Sequence, residues 1–155
     1  MIHSSAVSGR CDAGKPGFTL IELLIAIAVA AVLLYVAVPA YREPVFEMRR
    51  ALARMELLEV LARQEQYFGD HKRYANSLAD LGMPGSPYAL DSEGNRLPAS
   101  ATQRIYLIDI SAQGAGFVLH GKPQLGQASD HRCGRLDLSS RGRKTATGSD
   151  PQRCW

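Results

Sequence analysis

The charged residue with the most unusual surroundings in this sequence is Glu22. It is the only charged residue between Phe18 and Val38, inside the apolar run GFTLIELLIAIAVAAVLLYVAVPAY at 17–41. A charged side chain at the centre of a membrane helix costs about 2.5–3.5 kcal/mol, and less towards the helix ends. An acid kept at this place indicates a specific partner, which the run itself does not supply because it contains no basic residue.

The three cysteines divide into one before the apolar run and two far after it. If the run enters a membrane, Cys11 faces one compartment, and Cys133 and Cys154 lie on the outer side of a bacterial inner membrane, where disulfides persist. A bridge between the later two closes a loop of about twenty residues, for which chain entropy predicts roughly 3 kcal/mol of stabilisation. We predict a Cys133–Cys154 disulfide; the alternative is three unrelated buried thiols.

No sequence motif for catalysis or for a tightly bound cofactor is present. The sequence lacks GxSxG, HExxH, CxxC and a phosphate-binding glycine loop. His71, His120 and His131 do not have metal-ligand spacing, and a disulfide would withhold the thiol of Cys133 from any such site. The stretch DSEGN at 91–95 departs from a calcium loop in its glycine position and its missing terminal Glu, so a polar turn is favoured. We expect a non-enzymatic protein without a metal ion or other cofactor.

The C-terminal region is basic. Contact with the phosphates of DNA is one use for such a surface, but aromatic residues that could stack on single strands are nearly absent there. We favour a solvated surface that meets acidic faces of neighbouring proteins, so DNA is a candidate partner but not the preferred one. The cations are Arg132, Arg135, Arg141, Arg143, Lys144 and Arg153, relieved by Asp130, Asp137 and Asp150.

The apolar run has the length of a membrane span. About twenty residues at 1.5 Å per residue match a hydrocarbon core about 30 Å thick. A small domain cannot surround a helix that is apolar on all faces. A secretory signal peptide is the alternative, because Val38-Pro39-Ala40 is similar to a small-residue cleavage site, but its apolar region would be too long. Charges at the two ends of the run leave its orientation ambiguous.

The rest of the 155-residue chain, whose net charge is +3, suffices for one small domain. Helical spacing of apolar residues at 45–68 predicts an amphipathic helix that Gly69 ends, and Pro39 and Pro44 are expected to kink or unwind the helical segment. We predict that its apolar stripe covers a sheet; the alternative is that it binds a partner helix. The stripe consists of Met48, Leu52, Met55, Leu58, Leu61 and Ala62.

Strands are predicted only after this helix. Residues 75–103, rich in Gly, Pro, Ser, Asn and Asp, predict a connector with a short helical turn at 77–81 that Ser77 caps. Alternating patterns predict strands at 104–110, 116–121 and 134–139, and a short fourth strand after a turn at 140–142. Because strands succeed one long helix, the predicted fold class is α+β, with a small antiparallel sheet packed on the helix.

Residues 15–22, KPGFTLIE, form the most specific pattern in the sequence. They resemble the class III leader and N-terminal methylation motif of type IV pilins and of type II secretion pseudopilins. The resemblance implies the type IV pilin fold and a prepilin peptidase that cuts after Gly17 and methylates the new N-terminus on Phe18. It also implies that Glu22 pairs with the N-terminal amine of a neighbouring subunit during assembly, and it supports the helix kink at Pro39. In the membrane-resident monomer the alternatives are that Glu22 reaches the headgroup region or pairs with its own amine four residues earlier.

The same resemblance implies the domain organisation and the location of the protein. Residues 1–17 would be the cleaved leader, 18–41 the transmembrane and assembly helix, and 42–155 a periplasmic globular domain that includes the amphipathic half of the helix. Before assembly the chain would cross the inner membrane once, with its C-terminal domain in the periplasm. After assembly it would be part of the extracellular pilus.

The end of the chain, DHRCGRLDL at 130–138 followed by Cys154-Trp155, resembles the disulfide-bounded end of minor pilins of the PilE type. Pseudopilins of type II secretion usually lack such a bridge. The expected function is therefore that of a minor pilin that primes or enters a type IV pilus used in twitching motility and adhesion. Its partners would be other pilins, prepilin peptidase and the pilus assembly machinery. The alternatives are a type II secretion pseudopilin and a pilin that binds DNA or a surface.

Overall fold

The computed structural model describes residues 18–155, and within these it does not describe the side chains at 36 and 38–40. The chain divides into two compact units, one up to Ala40 and one at Tyr41–Trp155. One helix, α1 (Leu20–His71), precedes all the strands of the described chain. The strands are β1 (Tyr88–Asp91), β2 (Arg96–Pro98), β3 (Arg104–Gln113), β4 (Gly116–Pro123), β5 (Leu136–Ser139) and β6 (Lys144–Ala146).

Local signals account for both ends of α1. At the N-terminus the backbone amide of Glu22 donates to the hydroxyl of Thr19 at 3.3 Å, which satisfies one amide that the helix leaves free. At the C-terminus the helix stops before Lys72, whose φ of 56° is incompatible with a continued right-handed helix. The helix therefore runs two residues beyond Gly69, the predicted end.

Both prolines of the helical segment lie inside α1. The helix is assigned through Pro39 and Pro44, so neither residue produces the unwound stretch that was the alternative to a kink. The helix kink predicted at Pro39 stays a prediction.

The face of α1 that packs on the sheet differs from the predicted stripe. Met48 and Met55 are 57% and 67% exposed, and Leu58 is also exposed, whereas Leu52 and Leu61 are half-buried against the core. Hydrophobicity predicted only part of the packed face, because two of the inward side chains, Arg50 and Glu56, are charged and find their partners inside the domain. The buried positions of the helix are Arg50, Ala53, Glu56, Leu57, Val60 and Gln64.

The six strands form one antiparallel sheet in the order β2-β1-β3-β4-β5-β6. The predicted fold class, α+β with one long helix and an antiparallel sheet, is confirmed. The strands at 104–110 and 116–121 are confirmed and are longer than predicted, the third begins at Leu136, and the fourth is β6. The turn at Leu78–Leu81 is a 3-10 helix whose first residues are capped by Ser77 as predicted, with the amide of Ala79 donating to its hydroxyl at 3.2 Å.

Two strands were missed in the connector 75–103. β1 is only four residues long, and its first three residues are buried, so it shows no alternation of apolar and polar residues. β2 is three residues long and ends in Pro98 at the edge of the sheet, where a strand does not need the missing amide. The polar stretch 91–95 is the turn between these strands, with Asp91 accepting from the backbone amides of Glu93 and Asn95 at 2.9 Å.

A buried amide side chain fixes the chain where it leaves α1. Gln64 is fully buried, its Nε2 donates to the carbonyl oxygen of Ala75, and its Oε1 accepts from the amide of Ala75, each at 2.9 Å. Both polar ends of the side chain are thus satisfied, so its burial is not costly. The connector is held against the helix by this pair.

Candidate functional site: the disulfide region and the basic groove

The processing motif lies at the N-terminal end of the described chain. Gly17 is outside the described residues, Phe18 is 84% exposed, and Glu22 is exposed in the first turn of α1. Among the described residues no salt bridge involves Glu22. Its predicted partner is the amine that cleavage would create on Phe18 of a neighbouring subunit, so cleavage, methylation and pairing stay predictions.

The apolar side chains of residues 18–35 are exposed in the single chain. Leu24 and Val29 are each 54% exposed, and Leu20 is 76% exposed. Within the part of the chain that the structure describes, no helix combines the length and the apolar character that crossing a membrane requires. The membrane anchor predicted at 18–41 stays a prediction.

Cys133 and Cys154 form the predicted disulfide. Both residues are fully buried in the hydrophobic core of the Tyr41–Trp155 unit. The guanidinium of Arg54 donates to the carbonyl oxygen of Cys154 at 3.1 Å. The bridge and this hydrogen bond together tie the C-terminus of the chain to α1.

A buried ion cluster lies beside the start of the disulfide loop. Arg50, only 1% exposed, donates through Nε to Asp130 at 2.7 Å, and its other nitrogens reach Glu43 at 2.7 Å and Glu47 at 3.0 Å. Asp130 is itself 2% exposed and accepts from the backbone amide of Cys133 at 3.3 Å. One cation with three acids therefore links α1 to the residues that carry the bridge.

The charged forms of this cluster stabilise one another. Burial disfavours the charged guanidinium, but the hydrogen bonds to Glu43 and Asp130 outweigh it and raise the pKa of Arg50. The hydrogen bond from Arg50 lowers the pKa of Glu43. Nearby, burial raises the pKa of Tyr106 to about 12, so its hydroxyl stays protonated. The cluster is therefore intact at neutral pH.

A second buried acid joins α1 to the other edge of the sheet. Glu56 accepts from Arg96 through both carboxylate oxygens, at 2.7 and 3.2 Å, and also from the hydroxyl of Tyr88. Burial, reinforced by this carboxylate, raises the pKa of Tyr88. The first ion cluster thus joins α1 to the loop before β5, and the second joins it to β1 and β2.

A basic groove opens at one end of the sheet. This concavity of about 600 Å³ lies between the β3–β4 turn, the β5–β6 turn and Tyr74. Arg141 and Arg143 line it and are exposed, and Lys144 follows, with its Nζ 5.7 Å from the centre of the Trp155 ring. None of the salt bridges found among the described residues involves these three cations. The groove can therefore receive an anionic ligand.

The β3–β4 hairpin extends beyond its neighbours at the same end. β1 pairs with β3 only as far as Ile108, and the β4–β5 ladder begins at Val118. Beyond those points the hairpin is a two-stranded ribbon, and residues 111–115 are all exposed. Gln113, at its tip, lines the basic groove. A protruding ribbon beside free cations is a shape that fits a groove in a nucleic acid.

The prediction that the chain has no metal site depends on its histidines, and the structure shows the surroundings of three of them. His71 stacks on Tyr67 with ring centres 4.0 Å apart, His120 contacts Asp137, and His131 is exposed. Among residues 18–155, no group of three or more candidate ligands converges in a geometry that could hold a metal ion.

A long helix packed on an antiparallel sheet and closed by a C-terminal disulfide is the architecture of a type IV pilin. The model of the prokaryotic N-terminal methylation motif matches residues 13–37, and the resemblance found in the sequence is confirmed. A second model, described as type IV minor pilin ComP, DNA uptake sequence receptor, matches residues 39–137. This match covers more than half of the chain, so the chain belongs to the ComP family of type IV minor pilins.

The chain is also similar to the type IV major pilin protein PilA of Myxococcus xanthus (strain DK1622). The two are 28% identical over 92 residues, which cover 59% of this chain and 41% of that protein. The chain thus spans about two fifths of the length of the curated relative that it matches. This relative supports membership of the wider pilin family.

Sequence reasoning missed the groove and both ion clusters. It identified Arg141, Arg143 and Lys144 as basic but could not place Tyr74 beside them, because that residue is about 70 positions earlier in the chain. The signal for the buried clusters was present in the isolated charges of α1, notably Arg50, whose partner Asp130 lies 80 residues away.

Proposed function

We propose that the chain is a minor subunit of a type IV pilus, made as a precursor and assembled into the filament after processing. Prepilin peptidase cuts after Gly17 and methylates Phe18, and residues 18–41 hold the chain in the inner membrane until assembly. The globular domain then lies in the periplasm, and it becomes extracellular with the filament. The N-terminal methylation motif at 13–37 supports this sequence of events.

The observation that carries the proposal is the exposed apolar surface of α1. Residues 18–35 are apolar and exposed, and in the Tyr41–Trp155 unit the helix also exposes Tyr41, Met48, Met55 and Leu58. Exposed apolar surface of this extent marks an interaction site. Other pilins are its proposed occupants, which corresponds to the alternative that the apolar stripe binds partner helices instead of the sheet.

Glu22 sets the register of this assembly. Cleavage creates an ammonium group on Phe18, and opposite charges in a medium of low dielectric constant attract strongly. An unpaired acid in the packed helices is costly, so only subunits in the correct register are incorporated.

The test is the incorporation of Glu22→Ala into filaments. We expect normal leader cleavage and normal membrane insertion, but a much smaller amount of the variant in sheared filaments than of wild type. Glu22→Asp, which keeps the charge, is the matched control and should recover part of the incorporation. Equal incorporation of Glu22→Ala and wild type would remove the pairing argument.

The disulfide supports a pilus over the alternative of type II secretion, whose pseudopilins usually lack such a bridge. Twitching motility and adhesion are the proposed uses of the filament. A strain without this chain should spread less by twitching and adhere less, and a plasmid copy should restore both. Normal motility with a loss of protein secretion instead would favour the pseudopilin role.

A second candidate function is DNA binding, which the groove and the family description favour together. The matched family is described as a DNA uptake sequence receptor. In this chain the proposed contacts are phosphates held by Arg141, Arg143 and Lys144, with the β3–β4 ribbon in the major groove, which admits a two-stranded β-ribbon. The groove and the family description together make DNA a stronger candidate partner than the sequence alone did.

Salt dependence tests this candidate. Each phosphate contact contributes about 0.9 to the slope of log affinity against log salt on duplex DNA. Replacing all three cations with alanine in the full chain, kept in detergent, should weaken binding of a labelled duplex and reduce the slope by about 3. Arg153→Ala, which removes an exposed cation outside the groove, is the control and should leave the slope nearly unchanged. A wild-type chain that does not bind duplex at low salt would exclude the candidate.

A further inference from the structure

Three polar side chains on three adjacent strands form a hydrogen-bonded chain on the sheet face that α1 does not cover. His120 on β4 lies directly opposite Asp137 on β5, and Ser111 on β3 is diagonal to His120, because Ser111 pairs with Val118. The hydroxyl of Ser111 is 2.8 Å from Nε2 of His120, and Nδ1 of His120 is 2.6 Å from Oδ1 of Asp137.

The hydrogen bonds decide which nitrogen of His120 can act as a base. Arg135 donates to both oxygens of Asp137, at 2.8 and 3.0 Å, so Asp137 is held as a carboxylate. A carboxylate only accepts, so Nδ1 of His120 must donate to it and carries the proton. In the neutral imidazole, Nε2 then has its lone pair free and accepts the hydrogen bond of the Ser111 hydroxyl. This is the order of groups that activates a serine nucleophile.

A second concavity, of about 400 Å³, adjoins the serine. It is lined by Ser111, His120 and Val118, and also by Arg143 and Thr145. His120 and Asp137 are mostly shielded from water, with side chains 16% and 13% exposed, whereas Ser111 is exposed. Arg143, a cation without a salt bridge among the described residues, lines the same concavity and supplies it with positive charge.

We propose that Ser111 is an acyl-acceptor site for small carboxylic esters, an activity separate from pilus assembly, at a site that shares Arg143 with the basic groove. Oγ of Ser111 bonds to the acyl carbon while its proton moves to Nε2 of His120. The bond to the alcohol oxygen then breaks, and the leaving alkoxide takes that proton, so the ester and the Ser111 hydroxyl give an acyl-serine and one free alcohol. Asp137 and Arg135 act as positioning residues through His120.

A fluorophosphonate probe tests the site directly, because it labels activated serines through the same base. The Ser111 oxygen bonds to phosphorus, fluoride leaves, and the serine proton goes to His120. In the full chain in detergent, peptide mapping should find Ser111 labelled about 100-fold faster than Ser92, an exposed serine in the β1–β2 turn, as expected for one general base. Labelling at both serines at the same rate would overturn the proposal.

Two variants and one condition separate activation from mere exposure. His120→Gln and Asp137→Asn should slow labelling of Ser111 and leave labelling of Ser92 unchanged. In the wild type, unfolding by urea should make the two serines react at the same rate. This comparison does not depend on whether a variant folds. A p-nitrophenyl acetate incubation should acetylate the peptide that contains Ser111, and the Ser111→Ala variant should lose that modification while background acetylation of lysines stays the same. Labelling of Ser111 that stays fast after either substitution, or after unfolding, would contradict the proposed base.

Discussion

Replacing Arg50 with methionine should lower the free energy of unfolding by an amount that follows from the contacts of Arg50. Methionine keeps most of the volume of the side chain but removes the cation shared by Glu43, Glu47 and Asp130. The two glutamates are about half exposed and can turn to water, whereas the side chain of Asp130 is 1% exposed and cannot. The substitution leaves one buried carboxylate without a cation, which costs about 3–5 kcal/mol of the free energy of unfolding.

Urea unfolding of the full chain in detergent measures this cost, with the fluorescence of Trp155, the single tryptophan, as the probe. The control is Arg63→Met, which removes a half-exposed helical pair with Glu59 and one hydrogen bond to the carbonyl oxygen of Leu81, and which should cost about 1 kcal/mol. Adding Asp130→Asn to Arg50→Met should recover part of the loss, because it removes the uncompensated charge. An equal loss of unfolding free energy in Arg50→Met and Arg63→Met would show that a buried, unpaired carboxylate is not what destabilises Arg50→Met.

Three further predictions concern the bridge and the remaining acids. The Cys133→Ser, Cys154→Ser double variant should lose roughly 3 kcal/mol of unfolding free energy, and reduced wild type should match it in the same urea titration. Glu56→Gln should cost about 1–3 kcal/mol in thermal unfolding, since the three hydrogen bonds that the carboxylate accepts from Arg96 and Tyr88 cannot all be kept by an amide. Folding lowers the pKa of Glu43, so the ionised side chain stabilises the folded state at pH values above its ordinary pKa. This stabilisation is lost as the pH falls through the pKa of Glu43 in the folded state. Acid titration of Glu43→Gln should therefore show less loss of stability below about pH 4.5 than wild type.

The parts of the fold that were predicted correctly have strong local signals. The β3–β4 hairpin, the capped turn after Ser77 and the fold class follow from patterns within a few residues of one another. The N-terminal motif at 15–22 is equally local. The predicted disulfide needed only the reasoning that both cysteines lie in one oxidising compartment.

The parts that were not predicted depend on distant residues. The buried face of α1 could not be read from hydrophobicity, because Arg50 enters the core only if Asp130 is there to meet it. β1 and β2 are too short to show a period. Ser111, His120 and Asp137 belong to three strands and have no sequence motif, so only the register of the sheet brings them together. The expectation of a non-enzymatic protein rested on the lack of motifs, which does not test such a site.

The proposed function as a pilus subunit depends on the chain being processed and incorporated into a filament. The most direct measurement is mass spectrometry of filaments sheared from cells that produce the chain. We expect the N-terminal peptide recovered from the filaments to begin at Phe18 and to carry one methyl group on its amine. Recovery of only the unprocessed chain beginning at Met1, confined to the cell membrane and missing from the filaments, would contradict it.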